Sequence, residues 1–133
     1  MRIKDIKDKI IEKFLEIDVI EAWYWFYQTL TTYPAVIVKY RWADTELRTT
    51  WRGFREEHNF EANIFIDYTE EEELSEEFFV EVTEKVLDKF YEDASQTLDW
   101  LCNLLIINWI NDSLEDEEQK VKIITVDITA VIR

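Results

Sequence analysis

Phe60-Glu61-Ala62-Asn63-Ile64-Phe65-Ile66-Asp67-Tyr68 is the stretch whose reading decides the fold. Phe60, Ala62, Ile64, Ile66 and Tyr68 fall on one side of an extended chain and Glu61, Asn63, Phe65 and Asp67 on the other, the period of a strand with one face in a core. The closing stretch, 121–133, repeats the period. Lys122, Ile124, Val126, Ile128, Ala130 and Ile132 make its more apolar face, and Val121, Ile123, Thr125, Asp127, Thr129 and Val131 the other. Between the two, Leu74, Phe78, Val82, Val86 and Phe90 step by four, joined by Phe79, Leu87 and Tyr91. That spacing predicts an amphipathic helix, capped at or near Thr69. Glutamates 70–73, 76 and 77 crowd its first turns, where the helix dipole favours negative charge. A helix between alternating strands describes an α+β domain with side chains free on its sheet edges and faces, so contact with other protein chains is the leading reading.

Toward the N-terminus, Ile3, Ile6, Ile10, Phe14 and Ile17 recur at helical steps, with Ile11 and Leu15 widening the stripe, and predict a first helix with one buried face. Residues 18–28 admit two readings. Asp18 with Glu21 suits a capping box, whereas Val19, Ile20, Trp23, Tyr24, Trp25, Phe26 and Tyr27 are strand formers, and the strand is favoured. Pro34 opens Ala35-Val36-Ile37-Val38-Lys39-Tyr40 as a buried strand, since a first position does not need the missing N–H. Residues 45–55, with Leu47, Trp51 and Phe54 around Gly53, suit a hairpin arm or a projecting loop. Residues 98–110 are expected to run from a short helix into a strand, and 112–119 to form a polar, acidic loop. The expected fold class is α+β: a mostly antiparallel, mixed sheet, two main amphipathic helices packed on one face, and a projecting β-hairpin or loop.

A chain of 133 residues, 47% hydrophobic, suits one domain, able to bury roughly two thirds of the surface its unfolded form exposes. One glycine and one proline leave no room for a flexible linker. The charged start Met1-Arg2-Ile3-Lys4-Asp5-Ile6 suits neither a signal peptide nor a membrane anchor, and no apolar run is long enough for a membrane helix. A lone cysteine excludes a disulfide within the chain and permits a reducing compartment. The net charge of −15 opposes a groove that grips nucleic acid. The acidity reads either as solubility or as a surface that DNA passes without sticking.

The residues offer little that is built for catalysis. One His58 and one Cys102, far apart, make zinc improbable. Cys102 sits in the apolar run Trp100-Leu101-Cys102-Asn103-Leu104-Leu105 and reads as core filler rather than nucleophile. Ser75 and Ser95 lack a triad context, and no glycine-rich loop exists to cradle phosphates. Asp112 with Glu115 or Asp116 suits acid–base work or calcium in principle, but the calcium-loop pattern and its glycine are missing. The expectation is a protein that is not an enzyme and holds no cofactor or metal. Six tryptophans in a strongly acidic chain, only Trp42 and Trp51 with an arginine beside them, fill a core or anchor an interface rather than stack bases. Trp23, Trp25, Trp42 and Trp51 lie off the helical stripes and divide evenly between those two roles.

The order and spacing of several segments carry a resemblance. The N-terminal helix, the aromatic strand leading to Tyr33-Pro34-Ala35-Val36-Ile37-Val38, and Arg52-Gly53-Phe54-Arg55 before Phe60-Glu61-Ala62-Asn63-Ile64-Phe65-Ile66 come first. The glutamate-rich helix, Asp93-Ala94-Ser95-Gln96-Thr97-Leu98 and Val121-Lys122-Ile123-Ile124-Thr125-Val126-Asp127-Ile128 follow. Together they resemble the tail completion proteins, or tail terminators, of long-tailed bacteriophages, over nearly the whole chain. The family often carries a glycine soon after the Thr-Leu pair, where this chain has Asp99-Trp100.

The resemblance implies a structural virion protein of the neck. It would form a homo-oligomer, a hexameric ring, at the head-proximal end of the tail tube, stop tube polymerisation, and join the tail to the head-tail connector or stopper protein. DNA would pass through the lumen without specific binding, no membrane would be involved, and the subunit would reside in host cytoplasm during assembly and in the virion afterwards. Candidate subunit-interface residues are Trp42, Leu47, Trp51, Phe54 and Arg55. Candidates for an acidic lumen are Glu70, Glu71, Glu72, Glu73, Asp116, Glu117 and Glu118, which serve equally as a solvated surface. The competing readings are another phage neck or assembly protein, a small protein-binding adaptor domain, and a small enzyme using the acidic residues after Asn111.

Overall fold

Two strands with the same apolar alternation gain most by lying side by side under a common cover, and β3 (Phe54–Asp67) and β5 (Val121–Ile132) do so at the centre of the sheet. In the computed structural model, which describes residues 2–18, 20, 22–24, 34–47, 54–67, 76–92, 96–98, 101–102, 104–116 and 121–132, the remaining elements are α1 (Arg2–Leu15), β1 (Ala22–Tyr24), β2 (Ala35–Leu47), α2 (Glu76–Phe90) and β4 (Leu104–Asp116). The sheet order is β1-β2-β3-β5-β4. β1 runs parallel to β2, and every other neighbouring pair is antiparallel. The fold is α+β with a mostly antiparallel sheet.

Register brings the apolar sets together. Ile64 lies opposite Val36 and Ile124, Ala62 opposite Val38 and Val126, and Phe60 opposite Ile128. Both helices cover this one face: Ile6, Ile10, Ile11 and Phe14 of α1 and Val82, Val86 and Phe90 of α2 join the same buried cluster. Phe14 and Phe90 meet where the helices cross, with ring centroids 4.9 Å apart and tilted, a geometry aromatic pairs favour. Outside that contact two lysines of α2 tie the helices' ends, Lys85 to Asp18 at 3.0 Å and Lys89 to Glu16. These ion pairs raise both ammonium pKa values, mainly through the hydrogen bonds to Asp18 and Glu16.

Several expectations change. α1 ends at Leu15, and Leu15 is exposed rather than part of the stripe. Ile17 reaches the core past the helix through a tight turn, its N–H bonded to the Phe14 carbonyl at 3.0 Å. Tyr91 is exposed as well, because it follows the last helical residue and lies about 100° around the axis from Phe90. Among the described residues of 98–110 the strand from Leu104 forms but no helix does, the helical turn at Gln96 lying before them. Instead Leu98 takes a left-handed backbone, φ 47°, in a turn closed by Cys102 N–H to the Thr97 carbonyl. A leucine there costs about 1–2 kcal/mol, and its complete burial offsets the strain.

The acidic stretch after Asn111 is strand rather than loop as far as Asp116. Asp112, Leu114, Glu115 and Asp116 pair with Ile124, Ile123, Lys122 and Val121. Backbone pairing is indifferent to side-chain charge when the strand lies at a sheet edge, and charged residues there discourage unwanted pairing. Residues 25–33, 48–53, 68–75, 93–95 and 117–120 lie outside the described residues, and with them the expected helix cap at Thr69, Leu74 and the glutamate run 70–73.

Ile64→Ala, at the centre of the buried face, should lower the unfolding free energy by about 2–5 kcal/mol. Urea unfolding followed by tryptophan fluorescence checks this, and a change below about 0.5 kcal/mol would contradict the register.

Candidate functional site

The helices cover one face of the sheet, so the opposite face and the two edges are where function can reside. On that opposite face Asn59 and Asn63 of β3 and Thr125, Asp127 and Thr129 of β5 are polar, and they find partners there. Asp127 accepts from Asn59 Nδ2 at 3.0 Å through Oδ1 and from Asn108 Nδ2 at 2.9 Å through Oδ2. Asn108 also donates to Thr129 Oγ1 at 2.8 Å, and Thr125 Oγ1 donates to Asn63 Oδ1 at 2.9 Å. One carboxylate thus links β3, β5 and β4. Asn59, Asn63, Thr125 and Thr129 are buried, so without these partners each would carry a desolvation penalty.

Three register shifts interrupt the sheet's pairing, at Tyr40/Trp42, Ile107/Trp109 and Asp112/Leu114. A bulge between Tyr40 and Trp42 lets Arg41 reach Glu61 at 3.6 Å and sets Trp42 in register with Asn59. A bulge between Ile107 and Trp109 frees Asn108 for its two bonds and sets Trp109 in register with Asp127. Trp42 is 50% exposed and Trp109 45%. Beside them Tyr40, 38% exposed, and Leu104, 45% exposed, stand on the same two strands, β2 and β4. Bulges at edges commonly re-aim a side chain in this way.

At the base of the β2–β3 hairpin, Tyr40 packs on Phe60 and bonds to the buried His58. The Tyr40 hydroxyl lies 3.0 Å from His58 Nδ1, and Glu56 Oε2 lies 3.1 Å from Nε2. A carboxylate only accepts, so in the neutral ring Nε2–H donates to Glu56 and Nδ1 accepts from the tyrosine. Burial, then the Glu56 carboxylate, raises the Tyr40 pKa. The trio props the hairpin where it leaves the helices' cover.

Cys102 belongs to the core cluster, and burial pushes its thiol up to about 11. It remains a thiol at neutral pH and is a poor nucleophile, as its apolar setting predicts. Among the described residues no three His, Cys, Asp or Glu side chains are grouped to hold a metal ion, and no helix is long and apolar enough to cross a membrane. An open groove of about 260 Å³ between the helix ends is lined by Glu16, Ile17, Asp18, Lys85, Asp88, Lys89 and Glu92. Its two lysines are engaged by the carboxylates that tie α1 to α2, so the groove is a clamp between helices.

Of the candidate interface residues, Trp42 is exposed on β2. Leu47, Phe54 and Arg55 lie at the end of the hairpin, with Leu47 opposite Phe54 and Glu46 opposite Arg55. Trp51 lies outside the described residues. Asp116 ends β4, opposite Val121, while Glu70, Glu71, Glu72, Glu73, Glu117 and Glu118 lie outside the described residues. Trp109 and Leu104 escaped sequence reasoning because they sit in a run dense in Leu, Ile and Trp that reads as core. The Asn59–Asp127–Asn108 linkage escaped it too, although Asp127 and Thr129 already fall on the polar side of their strand. Searches against protein-family models and curated protein sequences found no match for this chain.

Asp127→Ala removes the acceptor shared by two asparagines, one of them buried, and should cost about 1–3 kcal/mol in unfolding free energy. Denaturant titration reads this, and an unchanged midpoint would show that the linkage adds no stability.

Proposed function

We propose that this chain is a structural assembly protein of the tail-terminator kind. It forms a hexameric ring on the head-proximal end of a phage tail tube, halts tube growth, and joins the tail to the head-tail connector. The observation that carries this reading is where the exposed large apolar side chains lie. Tyr40 and Trp42 stand on β2 and Leu104 and Trp109 on β4, strands on opposite sides of one sheet, while Leu15, Val80 and Tyr91 belong to the helices or the turn after them.

A closed ring of identical subunits needs two different surfaces on each copy that fit one another. Two separated strands carrying exposed aromatics supply such a pair, and aromatics are favoured anchors at subunit contacts. The kind of ring comes from the resemblance in element order and segment spacing. The charge of −15 supports a lumen through which DNA slides, because like charge keeps phosphates from condensing on the wall. The work is positional and calls on no cofactor, and its partners are protein surfaces: further copies, the tail-tube protein and the connector.

Electron microscopy of the full chain mixed with polymerised tail-tube protein from the same source tests the role. Sixfold rings capping one end of tubes of regulated length are expected. Tubes that stay uncapped and unregulated in length would overturn it.

A further inference from the structure

We infer that His58, Tyr40 and Glu56 form a one-proton switch: the buried ring takes up a proton in place, and in doing so reverses the Tyr40 hydroxyl from donor to acceptor.

The ring is buried, His58 being 5% exposed, while Tyr40 beside it is 38% exposed. Each ring nitrogen has its own partner, the Tyr40 hydroxyl at 3.0 Å from Nδ1 and Glu56 Oε2 at 3.1 Å from Nε2. Among the described residues the titratable groups that face the ring are therefore Tyr40, from β2, and Glu56, from its own strand. Its register neighbours on the two flanking strands, Ala43 of β2 and Ala130 of β5, bring no charge.

An imidazole has three states, and this geometry admits two of them. A carboxylate only accepts, so Nε2 must carry hydrogen. The neutral ring with its hydrogen on Nδ1 would set the Nε2 lone pair against the Glu56 carboxylate and is excluded. In the neutral ring with its hydrogen on Nε2, Nδ1 accepts from the Tyr40 hydroxyl. In the doubly protonated ring, Nδ1–H donates to that same oxygen, which turns its own hydrogen toward water, and Glu56 becomes the counter-charge at Nε2. A hydroxyl both donates and accepts, so each state leaves both nitrogens paired and neither requires the ring to move. A partner that only accepts, or only donates, would serve one state alone.

Burial, then the Glu56 carboxylate, raises the Tyr40 pKa, so the phenol keeps its proton in both states. The proton gained from water therefore rests on the ring. Histidine is the side chain whose charge ordinarily changes near neutral pH, and this chain has only one. A falling pH thus turns the Tyr40 hydroxyl, as its surroundings meet it, from an acceptor into a donor. It also replaces a neutral hydrogen bond at the base of the β2–β3 hairpin with an ion pair.

NMR of the full chain, following the ring nitrogens of its single histidine from about pH 8 to about pH 5, tests the switch. At the upper end Nδ1 should read as an acceptor and Nε2 as a donor. At the lower end both should read as donors, with the amide signals of β2 and β3 still those of the folded chain. Tyr40→Phe removes the group that serves both states, and the charged ring loses more by it, since hydrogen bonds to charged groups are the stronger. That variant should bind the proton about tenfold more weakly, and Glu56→Gln, which removes the counter-charge, at least as much more weakly. A neutral ring with hydrogen on Nδ1, a ring still uncharged at the lower end, or hairpin signals lost in step with protonation would overturn the inference. So would proton binding in Glu56→Gln as strong as in the unmodified chain, a measurement that stands even where Tyr40→Phe does not fold. The signals report the ring itself, so the outcome is separate from whether the chain caps tubes.

Discussion

The apolar face shared by β3 and β5, covered by the stripe that runs from Ile6 through Phe14 to Phe90 and Val82, is the interaction on which the other features depend. A sheet residue contributes to it only at alternate positions, and a helix residue only once every three or four. Fixing Phe60, Ala62, Ile64 and Ile66 on that side fixes Asn59, Glu61, Asn63 and Phe65 on the other, since a slip of one residue would exchange them. The polar linkage through Asp127 is therefore a consequence of the core's register. It gives the buried amides and hydroxyls of the far face partners that water cannot supply there.

The same arrangement explains why the edges remain available. Two helices of 14 and 15 residues reach about 21–23 Å. β2 and β3, 13 and 14 residues long, extend about 42–48 Å. The hairpin must outrun its cover, and the exposed run from Lys39 to Ala43 is where it does so. His58, held between Tyr40 and Glu56, is a buried polar ring with a partner at each nitrogen.

Much of this was legible in the sequence because it rests on periodicity. The faces of β3 and β5, the stripes of both helices, the hairpin and the apolar setting of Cys102 follow from residue spacing. What escaped is what spacing does not encode. A bulge shifts the alternation by one residue, so Trp109 reads as core from its neighbours and proves exposed. The acidic end of β4 reads as loop because composition speaks for solvent exposure, and an edge strand is solvent-exposed as well. Leu98 in a left-handed backbone contradicts its local preference and is held by burial, a tertiary effect that no local pattern announces. The exposure of Trp42 follows from its place on β2 beyond the buried stretch Ala35–Val38, where the strand carries Lys39 and Arg41.

Amide hydrogen exchange of the full chain, compared between dilute and assembled protein, tests most directly the claim that the helices serve the core while the sheet edges serve assembly. The account predicts new protection along residues 38–47 and 104–116, with exchange in α1 and α2 unchanged. New protection confined to α1 and α2, with both edges exchanging as before, would contradict it.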